Sequence, residues 1–216
     1  MRMRKKKHGD KRLHSCGDLW VQKPEEYKGN WKDVFENDLP LHVEIGCGKG
    51  GFITQLAQKN PDINYIAIEK LIDVLVLAAE KAKTNGITNI RFILGDAALL
   101  EDMFEKSEVE RIYINFCDPW HKTKHKKRRL THASFLDIYK NVLSEDGWIY
   151  FKTDNKDLFE FSLNSFCDND FQLKNITLDL HKSGYEGNIM TEYENLFSSL
   201  GNPIYRLEAS SCFAKK

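Results

Sequence analysis

Five acids fall in or just after apolar runs of the chain, namely Glu44, Glu69, Asp96, Asp118 and Asp154, and a glycine-rich turn containing Gly46, Gly48, Gly50 and Gly51 follows the first. Carboxylates so placed accept hydrogen bonds from hydroxyl and amino groups and counter positive charge that develops in a reaction. Glycines let the backbone turn tightly and approach a ligand. Glu69 lies 19 residues after Gly50, where a carboxylate takes the two ribose hydroxyls of a bound nucleoside. The spacing Gly-x-Gly-x-Gly-Gly differs from the dinucleotide fingerprint Gly-x-Gly-x-x-Gly, and Glu44, two residues ahead of Gly46, would repel a pyrophosphate. A ligand carrying an ammonium group suits it better.

S-adenosylmethionine has an α-amino group, a sulfonium and an adenosine ribose, so the loop and the acids together point to that molecule. A tight strand-to-helix turn without a ligand would use the same glycines, and Asp96 taken singly also reads as a helix N-cap.

To bring the acids into one crevice, a strand must end at each of them. Strands are predicted at 41–45, 64–68, 90–94, 111–116 and 148–152, and helices at 52–58, 73–83 and 158–166. A further helix, marked by Phe135, Ile138, Tyr139 and Val142, is expected to run to Glu145-Asp146-Gly147. Near-continuous apolar strands alternating with helices describe a parallel sheet covered on both faces, with ligands outside the carboxyl ends of its strands. Segments near 171–180 and 204–209 are candidates for two final strands, with a loop and a short helix between them in 185–200. The expectation is an α/β domain over residues 39–216, preceded by a basic, irregular or partly helical extension at 1–38.

Composition narrows the class. With 216 residues, 41% of them hydrophobic, the chain can bury a substantial core. No apolar run reaches a membrane span, and the basic N-terminus lacks the apolar segment of a signal peptide, so a cytoplasmic protein is expected. Cys16, Cys47, Cys117, Cys167 and Cys212 are widely spaced, odd in number and form no Cys-x-x-Cys pair, which predicts reduced thiols. His121 and His125 lie four apart, but lysines crowd them and no third ligand is evident, so no metal is expected.

The net charge of zero is unevenly spread. Residues 1–12 carry +6, residues 121–129 carry +6, and the remainder carries −12. Two cationic patches on an otherwise acidic protein suit a polyanion docked at defined places, although a solvated arm and a charged surface loop would give the same counts.

The chain resembles the bacterial tRNA guanine-N7 methyltransferases along almost its whole length. The resemblance runs from Met1-Arg2-Met3-Arg4 through Glu44-Ile45-Gly46-Cys47-Gly48-Lys49-Gly50 to the end. It is carried most specifically by Ile114-Asn115-Phe116-Cys117-Asp118-Pro119-Trp120, Lys126-Lys127-Arg128-Arg129-Leu130-Thr131, Phe151-Lys152-Thr153-Asp154-Asn155 and Asn188-Ile189-Met190-Thr191-Glu192-Tyr193-Glu194.

The resemblance implies a Rossmann-like class I methyltransferase fold, with a seven-stranded, mostly parallel sheet and helices on both faces. It implies S-adenosylmethionine as cofactor, held by Glu44, Gly46, Gly48, Gly50, Glu69, Asp96 and Asp118. Lys122, Asp154, Thr191, Glu192, Tyr193 and Glu194 would contact the nucleoside substrate, and Lys124, His125, Lys126, Lys127, Arg128 and Arg129 the tRNA. Cys117 stands where the family usually has serine, and His121 where it usually has proline.

Guanine N7 carries a lone pair and no proton, so a methyl acceptor of this kind needs positioning and electrostatics rather than a general base. Methylation leaves a positive charge on the purine, which makes Asp118 and Asp154 the candidates to counter it. Trp120 would stack on the base or fill the core. The alternatives are the same cofactor with another RNA or a small molecule as acceptor, and a noncatalytic RNA-binding protein on this scaffold. A monomer or homodimer acting on tRNA, not on DNA or at a membrane, is expected.

Overall fold

A computed structural model describes residues 9–211, so Met1-Arg2-Met3-Arg4, most of the N-terminal cationic patch and Cys212 lie outside the described residues. In chain order come α1 (Gly9–His14), α2 (Trp31–Phe35), β1 (Leu41–Ile45), α3 (Gly51–Lys59), β2 (Asn64–Glu69), α4 (Ile72–Thr84) and β3 (Ile90–Leu94). The second half has α5 (Leu100–Met103), β4 (Val109–Asn115), α6 (Ala133–Val142), β5 (Leu143–Thr153), α7 (Lys156–Asp168), β6 (Gln172–Thr177), α8 (Glu192–Ser199) and β7 (Tyr205–Ser210).

The strands form one sheet in the order β3-β2-β1-β4-β5-β7-β6, with β7 antiparallel to both neighbours and the other pairings parallel. Chain order reverses between β1 and β4. That switch point opens a crevice at the carboxyl ends of the strands, where ligands of open α/β sheets bind.

Each face of the sheet has its own core. Val43, Ile45, Ile112, Ile114 and Phe151 pack against residues of α6 and α7, while Tyr65, Ala67 and Phe92 pack against residues of α3 and α4. Each fully buried large side chain contributes roughly 1.5–3 kcal/mol by leaving water. Residues 9–37 join these cores. Leu13 of α1 is fully buried, Arg12 pairs with Glu80 of α4 at 2.5 Å, and Trp20 bridges to Phe92 at the β3 edge. On the opposite face Trp31 is buried and donates its indole N–H to the Met103 carbonyl at 3.0 Å.

Three features depart from expectation. The helix α6 stops at Val142 rather than near Gly147, because Leu143 already pairs with Val109 as the first residue of β5, across an irregular register. Residues 123–128 of the basic segment form a 3-10 helix. Most consequentially, the strands are not apolar on both faces. His42 and Glu44 of β1, Arg111, Tyr113 and Asn115 of β4, Tyr150 and Lys152 of β5, and Arg206 and Glu208 of β7 share one side in register. These groups are covered by α3 and the chain around 185–194, and they bond mainly to one another. A buried polar layer of this kind is stable only when its members satisfy each other.

Candidate active site

The glycine turn shapes the crevice. Gly46 and Gly48 have φ of +77° and +56°, and a Cβ built on either meets nothing within 4 Å, so bare backbone faces open space. Gly50 differs: a Cβ there would lie 2.7 Å from that of Ala78, which gives it a packing role between α3 and α4 rather than a place at the ligand. The Gly48 N–H donates to one oxygen of Glu69 at 3.1 Å and the Leu71 N–H to the other at 3.0 Å. Two backbone donors thus hold the Glu69 carboxylate in the crevice, and each oxygen keeps a lone pair for a further donor.

Glu69, Asp96 and Asp118 line one cavity of about 600 Å3, together with Gly46 and Trp120. A larger groove of about 680 Å3 lies away from the strand ends, between residues 14–34 and Arg91. The Asp96 side chain accepts from the Ala98 N–H at 3.0 Å and pairs with Lys70 at 2.7 Å. Partial burial pushes its pKa up, but the Ala98 N–H and Lys70 outweigh this and hold it below the usual carboxylate range. Asp96 is therefore both a cap and a cavity wall.

Glu44 lies on the other side of Gly46. It lines a second cavity of about 170 Å3 with Phe116, Thr191, Glu192 and Tyr193, and both cavities share Gly46 and Phe116. Burial pushes the Glu44 carboxyl up to about 8, partly offset by the Asn115 amide at 3.0 Å and by the charge of Lys152. Its Oε2 is buried without a hydrogen-bond partner. A cationic donor in this cavity would satisfy that atom and favour the carboxylate. Glu44, Glu69 and the wall at Asp96–Ala98 thus follow one another across Gly46.

The acids thus divide between two cavities, and Asp154 lines neither. It accepts a long hydrogen bond, 3.4 Å, from the Tyr193 hydroxyl. Thr191 caps α8 by accepting from the Glu194 N–H, and Glu192 reaches Lys81 at 2.6 Å while lying over Gly51 at the start of α3. Glu194, expected at the substrate, is fully buried instead. It pairs with Lys152 at 2.8 Å, accepts from the Asn188 amide at 2.6 Å and lies 3.3 Å from His181. Its physical role is to hold the 188–194 segment against β5.

The basic segment divides in the same way. Lys122, Lys124, Lys126, Lys127 and Arg128 are exposed, and His125 lies half-buried beside Trp120. Lys127 and Arg128 reach the wall of the cavity that holds Glu69, Asp96 and Asp118, with the Arg128 guanidinium 4.9 Å from the centre of the Trp120 ring. Arg129, expected among the RNA contacts, is buried. It donates to the Pro119 carbonyl at 2.9 Å and packs on Phe161. This clamp fixes the turn around Asp118, where Phe116 and Trp120 adopt φ of +52° and +44°, a strained conformation that clusters at functional sites.

Cys117 is half-buried at the wall of the cavity that holds Glu69 and Asp118, and burial and then Asp118 push its thiol up to about 12. Cys16, Cys47, Cys117 and Cys167 are all free among the described residues. Phe116, Asn115 and Lys152 were not singled out from the sequence as site residues. The signal that could have found the last two is the polar alternation in His42-x-Glu44, Tyr113-x-Asn115 and Tyr150-x-Lys152.

Residues 38–207 match a family described as "Putative methyltransferase". A tRNA (guanine-N(7)-)-methyltransferase of Streptococcus pyogenes serotype M18 is 52% identical over 210 residues, covering 97% of this chain and 100% of that protein. The protein of that name from Listeria monocytogenes serotype 4b is 52% identical over 209 residues, covering 97% and 98%. Among solved structures, an antibiotic-related methyltransferase aligns with a TM-score of 0.63 at 16% identity, covering 84% of this chain and 92% of that one. A SAM-dependent methyltransferase from Aquifex aeolicus aligns at 0.56 and 13%, covering 94% and 98%. At such identities the two structures share the fold.

Proposed function

The chain belongs to the tRNA (guanine-N7)-methyltransferase family, and we propose that the acids on either side of Gly46 carry out that family's reaction, methyl transfer from S-adenosylmethionine to N7 of a guanine in tRNA. The cofactor, when bound, supplies a methyl group on a sulfonium. Glu44 takes the ammonium end, Glu69 accepts from the ribose hydroxyls, and Asp96 bounds the base. Held there, the cofactor would supply the methyl that the N7 lone pair takes from sulfur, with the positive charge passing to the purine. No proton is removed, so no residue acts as a general base.

Asp118 faces the cavity from the carboxyl end of β4, next to Pro119 and Trp120. Its carboxylate counters the charge growing on the purine, an interaction stronger in the transition state than in the ground state. Lys122, Asp154 and Thr191 to Tyr193 frame the nucleoside, and Lys124, His125, Lys126, Lys127 and Arg128 meet tRNA phosphates. Arg129 and Glu194 hold these segments in place from inside. The protein acts on tRNA in the cytoplasm, as a monomer or homodimer; among the described residues no helix is long and apolar enough to cross a membrane.

The observation that carries this proposal is the buried, unpartnered Oε2 of Glu44 set across Gly46 from Glu69 and Asp96. Mapping the base labelled when the protein is incubated with tRNA and methyl-labelled cofactor tests it. Label at guanine N7 is expected, and label at another atom would refute the acceptor assignment.

A further inference from the structure

The buried polar side of the sheet encloses a third cavity, about 140 Å3, between α3 and the chain at 185–189. Its wall holds three cations, Arg111, Lys152 and Arg206, and three phenols, Tyr113, Tyr150 and Tyr185. Among the described residues no carboxylate lines it. Lys152 is paired with Glu194 at 2.8 Å, and Arg206 with Glu208. Among the described residues Arg111 forms no ion pair, and Glu208 acts on it only through its charge at a distance. Its guanidinium reaches only the Tyr113 hydroxyl at 3.5 Å and the face of Tyr150 at 4.5 Å, and its buried Nε is without a hydrogen-bond partner. His42, its register neighbour on β1, stays neutral, because burial and then Arg111 push its pKa down to about 3, so it adds no second positive charge.

A half-buried guanidinium with no ion-paired carboxylate can take an incoming anion, and its planar fork matches the oxygens of a phosphate. We propose that this cavity is an anion site that takes one phosphate-sized oxyanion, with Arg111 as its counter-charge and the tyrosine hydroxyls as further donors. Tyr185 and Gly187 are exposed and form the rim through which the anion enters. The phosphate comes either as the free ion or as a phosphate group of RNA that reaches the rim.

The test is thermal melting of the full chain titrated with inorganic phosphate at constant ionic strength. The wild type is expected to gain Tm with the logarithm of phosphate concentration above the dissociation constant, by roughly 3–6 °C at tenfold that constant. Arg111→Met keeps the volume and removes the charge, so it should melt no lower than the wild type without phosphate and should not respond to it. Arg111→Lys, which keeps the charge but loses the fork, should need a higher phosphate concentration for the same gain. A Lys124→Gln/Lys127→Gln variant should respond as the wild type does.

No gain in the wild type, an equal gain in Arg111→Met, or loss of the gain in the Lys124/Lys127 variant would each overturn the proposal. If Arg111→Met does not fold, the wild-type and Arg111→Lys titrations still decide. Titrating tRNA with and without saturating phosphate then separates the sources. Competition that Arg111→Lys weakens identifies an RNA phosphate, and independent binding identifies the free ion.

Discussion

Cofactor affinity should rise with pH below neutrality because of Glu44. A carboxyl raised to about 8 is ionised in roughly one molecule in eleven at pH 7 and one in a hundred at pH 6. If only the carboxylate pairs with the ligand ammonium, the apparent dissociation constant should fall about tenfold from pH 6 to pH 7, which is about 1.4 kcal/mol. S-adenosylhomocysteine carries the same α-amino group and ribose, and its binding can be followed by calorimetry at both pH values. Glu44→Gln keeps the shape, cannot ionise, and should bind more weakly with a flat pH profile. The same group governs stability of the free protein. Its folded pKa lies above the ordinary 4.5, so its contribution is fully present below about 4.5 and is lost as pH rises through about 8. The variant's melting curve should fall less over that window. Equal affinity at pH 6 and 7 in the wild type, or an unchanged slope in Glu44→Gln, would refute the assignment.

Glu69→Ala should weaken cofactor binding, since each lost charge-assisted hydrogen bond costs roughly 1.5–3 kcal/mol less whatever water replaces; an unchanged dissociation constant in a folded variant would remove Glu69 from the site. Neutralising Lys124 and Lys127 should weaken tRNA binding and flatten its log–log salt dependence by about 0.7–0.9 per lost phosphate contact. Filter binding over a salt series reads this directly, and an unaltered slope would make the loop a solvated charge run. Glu194→Ala should lower stability by about 3–5 kcal/mol by stranding Lys152 in the interior, where it is 7% exposed. A denaturation midpoint close to the wild type would show that the pair holds nothing in place.

The order of strands and helices was legible because apolar runs and helical periods alternate cleanly from Leu41 to Phe166. The glycine turn and Glu69 were legible for the same reason, as both sit where a strand must stop. Tertiary context decided the rest. Arg129 and Glu194 look like surface charges in a basic run and an acidic helix start, and only the packing of Pro119, Phe161 and Lys152 around them shows that they face inward. Gly50 reads like its neighbours until Ala78 is seen 2.7 Å from its missing Cβ. The buried polar side of the sheet was present in the sequence as a period-two alternation in β1, β4, β5 and β7. Its apolar half dominated the pattern, and nothing local indicates which polar side chains pair across strands.

The central claim is that Asp118 counters the charge that grows on guanine when its N7 is methylated. Single-turnover methyl transfer to tRNA at saturating cofactor, comparing wild type with Asp118→Asn, tests it most directly. An amide keeps the shape and removes the charge, and losing one such preorganised partner commonly costs on the order of a hundredfold in rate. The account predicts a fall of that size with both dissociation constants near their wild-type values. A wild-type rate in Asp118→Asn, with only cofactor binding weakened, would contradict it and leave Asp118 as a cofactor ligand alone.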